Sequence, residues 1–385
     1  MEQDGVILAA LANATPLYRI PAGGGQPVQA TRLQSSQAGH RFPAFLPDGR
    51  HFLFFGNGIR SVRGVYIGSL DSTESRRIAE TDSAAVFWPP DYVVFARQDA
   101  LFAQHFDLQR LQLVGEPAIV TARVAQNPGG NFAAVAVSAS AAGPLVYRAP
   151  ATQLRQLKWF DRSGKEIGVV GEPDSLPRGN LRLSPDGGSL AMSRTVNGND
   201  DVWVMDTARG TSRRFTSDEA PDAGPVWSPD GSRIAFVSYR KGLYDLYQKA
   251  ISAGTEEVLL ESNENKNPFD WSSDGRFILY AVQSAKTARD LWALPLDGAR
   301  KPFVVVQSEF EEVNGRFSPD GHWVAYTSNE TGRNEIYVRP FPGPGRSWQV
   351  SANGGNNVQW RRDGREVFYL SLDNRLMAVP VTLQP

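Results

Sequence analysis

The 385-residue chain contains no cysteine, only four histidines and no long apolar run. The lack of cysteine excludes disulfides and thiolate chemistry but leaves the redox compartment open. No apolar stretch approaches the roughly 20 residues that span a bilayer, and Glu2 and Asp4 stand where a secretory signal carries basic residues. A membrane-spanning segment is therefore not expected. With 40 basic and 41 acidic residues the net charge is −1, so a nucleic-acid partner is not expected either.

Helical and catalytic patterns are missing as well. The sequence shows no amphipathic helix, no Gly-x-Ser-x-Gly elbow and no His-Glu-x-x-His motif. Its histidines are scattered, at His40, His51, His105 and His322, whereas metal enzymes need several ligands that converge. These gaps argue against a peptidase. No cofactor is predicted, and nothing in the sequence indicates a structural divalent cation.

Glycine and proline are plentiful, and many of them belong to one recurrent turn. In GPVWSPDGSRIAFVS, Pro229 presets the second turn position, Asp230 bonds back to its own backbone and Gly231 accepts a left-handed conformation. Alternating runs flank the turn, so the segment predicts a β-hairpin. Related turns follow at steps of 44, 44, 46 and 43 residues along Gly187, Gly231, Gly275, Gly321 and Gly364, with another at Gly49 and degenerate copies around Asp91 and Gly143.

Each repeat has room for four short strands. A period of roughly 40 to 50 residues with four strands is typical of β-propeller blades. The sequence therefore predicts an all-β, single-domain propeller over residues 1–385: a partial first repeat without an opening strand at 1–33, seven repeats at 34–355 and a last, closing repeat of three strands at 356–385. If the two terminal segments complete one blade together, the propeller has eight blades; nine and seven are the alternatives.

Several repeats carry a further resemblance. WSPDGSRIAF and FSPDGHWVAYTSNETGRNEIYV resemble TolB-type, WD40-like propeller repeats. The ordered set RFPAFLPDGRHFLFF, GVYIGSLDS, LKWFDRSGKEIGVVGE, GRNEIYVRPFPGPGRSWQVS and QWRRDGREVFYLS resembles the extracytoplasmic propeller region of bacterial membrane serine/threonine protein kinases. That resemblance implies a sensor or scaffold region in an extracytoplasmic or periplasmic location. Kinase motifs are absent here, so any kinase activity would belong to a neighbouring segment.

Polar loops lead into the first strand of each repeat, opposite the hairpin turns, and loops on a rigid scaffold are where binding concentrates. They carry many carboxylates, including Asp218 and Glu261, which predict an acidic rim beside an inert hairpin face. Solvated turns without a partner are the alternative. The candidate ligand-binding residues are Arg182, Asp222, Asp270, Glu311, Glu312, Asn314, Arg316, Asn357 and Gln359.

Two sets of side chains recur once per repeat. Asp201, Asp245, Asp290 and Glu335 precede or begin the third strand of their repeats. A ring of carboxylates could bind cations, but one copy per repeat favours a structural role, in which each accepts hydrogen bonds from backbone groups of the adjacent loop. Trp227, Trp271, Phe317 and Trp360 are predicted to pack between blades.

The sequence favours a non-catalytic binding or sensing propeller, whose partner is an unidentified small ligand or protein. The alternative is an enzyme that uses the central funnel, such as a metal-dependent lyase or a lactonase-like hydrolase.

Overall fold

A computed structural model describes residues 2–3, 5–11, 15–97, 100–125, 137–139, 143–149, 154–174, 178–196, 199–252, 254–283 and 288–382. All regular structure within these ranges is β-strand, arranged in antiparallel sheets. None of the described residues belongs to a helix that could cross a membrane.

Three four-stranded sheets occupy the first part of the chain. The first contains β1 (Glu2–Gln3), β2 (Val6–Ala10), β3 (Leu17–Pro21) and β4 (Val28–Gln29). The second contains β5 (Gln37–Phe45), β6 (His51–Gly58), β7 (Gly64–Ser69) and β8 (Ser72–Ala79). The third contains β9 (Ala85–Trp88), β10 (Tyr92–Arg97), β11 (Ala100–Asp107) and β12 (Gln112–Thr121).

The middle of the chain departs from this pattern. Here two two-stranded sheets replace one of four strands. They are formed by β13 (Val137–Ala139) with β14 (Leu145–Tyr147) and by β15 (Arg155–Phe160) with β16 (Glu166–Asp174).

Four regular sheets and one shorter sheet follow. They contain β17 (Arg178–Leu183), β18 (Ser189–Val196), β19 (Asn199–Asp206) and β20 (Ser212–Arg214); then β21 (Asp222–Trp227), β22 (Arg233–Ser238), β23 (Asp245–Ala250) and β24 (Glu257–Leu260). Next come β25 (Lys266–Trp271), β26 (Phe277–Gln283), β27 (Arg289–Pro295) and β28 (Phe303–Val306), and β29 (Glu312–Phe317), β30 (Trp323–Ser328), β31 (Glu335–Pro340) and β32 (Trp348–Gln349). The last sheet contains β33 (Asn356–Trp360), β34 (Glu366–Leu370) and β35 (Leu376–Pro380).

The recurrent turn is a hairpin wherever its full motif occurs. Its glycine has a left-handed φ in every copy, for example 71° at Gly231, 77° at Gly275 and 71° at Gly364. The Asp230 carboxylate accepts the amide of Ser232 at 3.0 Å and the hydroxyl of Ser228 at 2.5 Å. These bonds hold the pKa of Asp230 near 2. The predicted turn chemistry is confirmed.

Consecutive sheets pack face to face, and the core lies between them. One cluster joins β21–β24 to β25–β28 through Leu246 and Tyr280, and the next joins β25–β28 to β29–β32 through Leu279 and Tyr326. The recurrent aromatic residues belong to these clusters, as predicted: Trp227, Trp271, Phe317 and Trp360.

The recurrent carboxylates tie the third strand of a sheet to the segment at or beyond its fourth strand. Asp245 accepts the Lys266 ammonium at 2.7 Å and the amide of Ser262 at 3.2 Å. Glu335 is fully buried and accepts the amide of Gly354 at 2.9 Å. Asp201 contacts the Arg214 guanidinium at 2.6 Å, and Asp290 accepts a hydrogen bond from the side-chain Nε2 of Gln307 at 3.0 Å. The predicted hydrogen bonds from the loop backbone are confirmed for Asp245 and Glu335, whereas Asp201 and Asp290 contact side chains.

The two ends of the chain do not share a sheet among the described residues. The prediction that residues 1–33 lack an opening strand is wrong, because β1 pairs with β2 across a tight turn in which Gly5 has a φ of 78°. The last sheet keeps three strands. On the side away from β29–β32, the last sheet contacts the β15–β16 turn rather than the first sheet, and Glu366 meets Arg162 of that turn at 2.9 Å. The reason for favouring eight blades is therefore removed, and the blade number stays a prediction.

Candidate ligand-binding site

The first strands of the last five sheets, β17, β21, β25, β29 and β33, are called the inner strands below. Each has a register shift against its neighbour, as between Val313 and Arg316 or between Asn356 and Gln359. In four of them one residue of the shift has a left-handed φ: 51° at Asn180, 66° at Gly224, 55° at Asn314 and 55° at Asn357. Glycine and asparagine adopt this conformation most readily. Asn314 and Asn357, both predicted to bind ligand, are thus bulge residues of the backbone.

Each bulge changes the direction in which the side chains after it point along the inner strand. Two positions after the left-handed residue stand Arg182, Val226, Arg316 and Gln359, and Asp270 holds the same place on β25. All five line one cavity of about 620 Å³. Four of them, Arg182, Asp270, Arg316 and Gln359, are among the residues predicted from the sequence.

The polar wall of this cavity consists of two arginines and one aspartate. Arg316 is buried, and its guanidinium donates to the carbonyls of Phe269 and Gly315. Asp270 accepts the amide of Phe317 at 2.8 Å. Burial raises the pKa of the Asp270 carboxyl, while the charge of Arg316 opposes that rise.

Arg182 is the least satisfied member of the polar wall. Its Nη1 donates to its neighbour's carbonyl, that of Leu181, at 3.0 Å, whereas its buried Nε has no hydrogen-bond partner among the described residues. Burial and the nearby charge of Arg316 lower the pKa of Arg182 to about 9. The cavity therefore holds a guanidinium whose charge the protein only partly compensates.

The rest of the wall is largely apolar. It includes Trp159, Trp227 and Trp271, together with leucine and valine side chains from β15 to β18 and β21. The ring nitrogen of Trp227 donates to the carbonyl of Arg182 at 2.9 Å, and that of Trp271 donates to the carbonyl of Gly275 at 3.1 Å. The single N–H donor of each indole is therefore already hydrogen-bonded, and both rings present only carbon atoms to the cavity.

Part of this apolar wall is open to solvent. Trp159 is 38% exposed, Leu181 39% and Leu183 45%. Pro185 and Pro229 of two hairpin turns also line the cavity. It thus lies at the hairpin end of the inner strands, the end that the sequence predicted to be inert.

The other predicted residues lie at the opposite end of the inner strands. Asp222 is buried and faces Arg240 at 3.3 Å, and burial raises its pKa to about 6. Glu311 accepts Nε of Arg289 at 2.6 Å. Glu312 is buried and accepts the hydroxyl of Ser308 at 2.6 Å.

The loops at this end carry charges of both signs. Arg240 also contacts Asp218 at 3.7 Å and Glu256 at 2.7 Å, and Lys241 meets Glu261 at 2.6 Å. The expected acidic rim is therefore interleaved with basic side chains. Whether these loops bind a ligand stays a prediction.

Sequence reasoning missed the contribution of the β15–β16 hairpin. Leu157, Lys158 and Trp159 of β15 face the cavity, and the Lys158 ammonium is paired with Glu166 at 2.7 Å. The hairpin stands outside the regular repeat, so the repeat spacing gave it no place beside the inner strands. The signal available in the sequence was the alternation of apolar residues on both strands, Leu157 with Trp159 and Ile167 with Val169.

The histidines and metal-binding groups add little to the site. His40 is buried between Thr31 and Gln37, with ring nitrogens 2.7 and 3.0 Å from their side-chain oxygens. Burial and the charge of Arg41 lower its pKa to about 4. Within the described ranges no group of three or more histidine or carboxylate side chains could hold a metal ion.

Comparison with known proteins bears on the segment that supplies much of the cavity. Residues 177–298, which contain β17 to β27, match the family described as TolB beta propeller domain. The four-stranded antiparallel sheets and this match confirm the predicted all-β propeller fold, and residues 177–298 resemble TolB-type repeats as predicted. The number of blades and the link to a kinase stay predictions.

Individual relatives are distant. An uncharacterized protein of Agrobacterium fabrum is 25% identical over 205 residues, which are 49% of this chain and 68% of that protein. Tricorn protease homolog 1 of Streptomyces coelicolor is 30% identical over 102 residues, 26% of this chain but only 10% of its own length. The structure of TolB from Acinetobacter baumannii aligns with a TM-score of 0.47 and 16% identity over 82% of this chain and 80% of that chain.

Proposed function

We propose that the protein is a non-catalytic binding module whose ligand occupies the cavity at the hairpin end of the inner strands. The observation that carries this proposal is the convergence of five inner strands and one extra hairpin on a cavity of about 620 Å³. Small-molecule pockets are typically of a few hundred to about 1,000 Å³, mostly apolar, with a few polar groups that fix orientation. The three tryptophans and the Arg182–Asp270–Arg316 group match that description.

A fragment screen by ligand-observed NMR tests this function, with neutral, cationic and anionic fragments in equal number. Leu183→Trp should fill the open side of the cavity and remove the hits. Val258→Trp is the matched control, because Val258 is similarly exposed at 42% but lies on β24, outside the cavity. Hits that survive in both variants would place binding elsewhere on the molecule. Hits that are chemically converted during incubation would favour the alternative of a funnel enzyme.

We also propose that this module is the sensing region of a bacterial receptor-type kinase, outside the cytoplasm. The support is the resemblance of the ordered repeats to propeller regions of such kinases. In its source cells the native polypeptide should then be larger than 385 residues account for and should sediment with membranes. An antibody against this chain tests both points, and a native polypeptide of this length in the non-membrane fraction would refute the association.

A further inference from the structure

The charged groups of the cavity do not balance one another. Of the described residues that line the cavity, Arg182 and Arg316 face a single carboxyl, that of Asp270, and the fourth charged residue, Lys158, is paired with Glu166 outside the cavity. The net charge of Arg182, Asp270 and Arg316 together is +1 when Asp270 is ionised and +2 when Asp270 is protonated. In either state the polar wall favours an anion.

Arg182 has the free hydrogen-bonding capacity to receive that anion. Arg316 already uses its Nη1 for two main-chain carbonyls, whereas within the described part of the chain Arg182 donates only to the carbonyl of Leu181 and its Nε has no partner. Guanidinium groups bind planar carboxylates through two parallel hydrogen bonds. An anion beside Arg182 would also relieve the repulsion that Arg316 exerts on it.

The remaining wall restricts what the anion is attached to. Trp227 and Trp271 have no donor left, and Trp159, Leu181 and Leu183 expose carbon surface to solvent. Flat apolar groups stack favourably on indole rings, and burial of this surface is favourable in proportion to its area. The carboxylate of Asp270 disfavours a second negative charge on the ligand.

From this arrangement we propose that the cavity binds a monocarboxylate with a flat apolar body, whose carboxylate pairs with Arg182 and whose body lies against Trp159, Trp227 and Trp271. This inference rests on the proposed binding function but fails separately from it, since a cavity that prefers neutral ligands would keep the function and lose the ligand class.

The test is calorimetric titration with three naphthalene probes that differ in charge: 2-naphthoate, neutral 2-naphthalenemethanol and dianionic 2-naphthyl phosphate. We expect 2-naphthoate to bind at least about tenfold more tightly than the alcohol, because only the carboxylate forms a charge-assisted pair of hydrogen bonds with Arg182. Arg182→Gln should weaken naphthoate at least about tenfold and leave the alcohol unchanged. Arg233→Gln is the control, since Arg233 is exposed on a hairpin strand outside the cavity.

A second variant guards against loss of binding through misfolding. Asp270→Asn keeps an oxygen that accepts the amide of Phe317 but removes the negative charge, so it should tighten naphthoate at least about threefold and tighten the phosphate more. Equal affinity for acid and alcohol, unchanged naphthoate binding in Arg182→Gln, or tighter binding of the phosphate to the wild type would each overturn the proposal. Failure of all three probes to bind would overturn it too, while fragment hits removed by Leu183→Trp would still uphold the binding function.

Discussion

At the residue scale, Glu312 is a buried carboxylate that forms no ion pair with any cationic side chain in the described ranges. It is 2% exposed, its Oε1 accepts the hydroxyls of Ser308 at 2.6 Å and Ser328 at 3.4 Å, and its buried Oε2 has no hydrogen-bond partner among the described residues. Burial raises the pKa of Glu312 from 4.5 to about 7, and the nearby charge of Asp290 adds to the rise. The ionised form is therefore destabilised in the folded protein.

This pKa shift predicts a pH-dependent stability. Between pH 4.5 and about 7 the folded state holds the proton of Glu312 more tightly than the unfolded state, so this residue's contribution to stability falls as the pH rises. Glu312→Gln cannot ionise and keeps an oxygen for the serines. From pH 5 to pH 8 the variant should gain roughly 1 to 3 kcal/mol relative to the wild type.

Urea unfolding at the two pH values measures this difference. Glu116→Gln, an exposed change on β12, should follow the wild type at both. If Glu312→Gln tracks the wild type as closely as that control, the carboxyl is not destabilised in the way its surroundings indicate.

At the element scale, the recurring inner strand explains what repeat spacing can and cannot reveal. Four of the predicted residues stand five positions before a turn glycine: Arg182, Asp270, Arg316 and Gln359. Their equivalent positions in the repeat, and hence their convergence in one cavity, could therefore be predicted from the repeat spacing. Asp222 and Glu312 lie four positions earlier on their strands, about 13 Å away at strand rise, and therefore belong to the other end. The bulge was not predicted, because asparagine in a polar strand also reads as a binding residue.

The bulge predicts a specific tolerance at Asn357. This side chain is exposed, so its replacement tests the left-handed φ of 55° with little change in packing. Asn357→Gly should leave the free energy of unfolding within about 1 kcal/mol of the wild type, whereas Asn357→Val should cost about 1 to 3 kcal/mol through backbone strain.

Chemical denaturation of both variants, together with naphthoate titration of Asn357→Gly, checks this interpretation. Binding should persist in the glycine variant because Asn357 does not line the cavity. Equal stability of the valine and glycine variants would exclude a bulge that requires the left-handed conformation, and loss of naphthoate binding on change to glycine would return Asn357 to the binding residues.

At the scale of the whole molecule, sequence reasoning succeeded where contacts are local and failed where they join distant segments. The hairpins and the four-stranded sheets depend on residues within one repeat, and the carboxylate ties join residues at most 21 positions apart. The last sheet, in contrast, packs against a distant segment. Glu366 meets Arg162, 204 residues earlier, and the guanidinium of Arg162 also lies over the ring of Phe368 at 5.8 Å. Charge pairs of this kind carry no periodic signal, so the β15–β16 hairpin could not be placed from the sequence.

These long-range contacts predict that the last sheet stabilises its neighbours and completes the cavity. Val358 and Val367 cover Trp323 and Ile336 of the preceding sheet, and the ring nitrogen of Trp360 donates to the carbonyl of Arg316 at 3.1 Å. Deletion of residues 356–385 should expose that apolar face, and a large exposed apolar patch favours association with other chains.

Size-exclusion chromatography with light scattering and thermal unfolding test this deletion. The truncated protein should aggregate or melt well below the full chain, and any monomer should bind naphthoate more weakly, because Gln359 and the support of Arg316 are gone. Deletion of residues 382–385 is the control, since it leaves β33–β35 intact. A long truncation that stays monomeric, melts as the control does and binds naphthoate equally well would mean that the sheets from β17 to β32 hold the fold and the cavity without it.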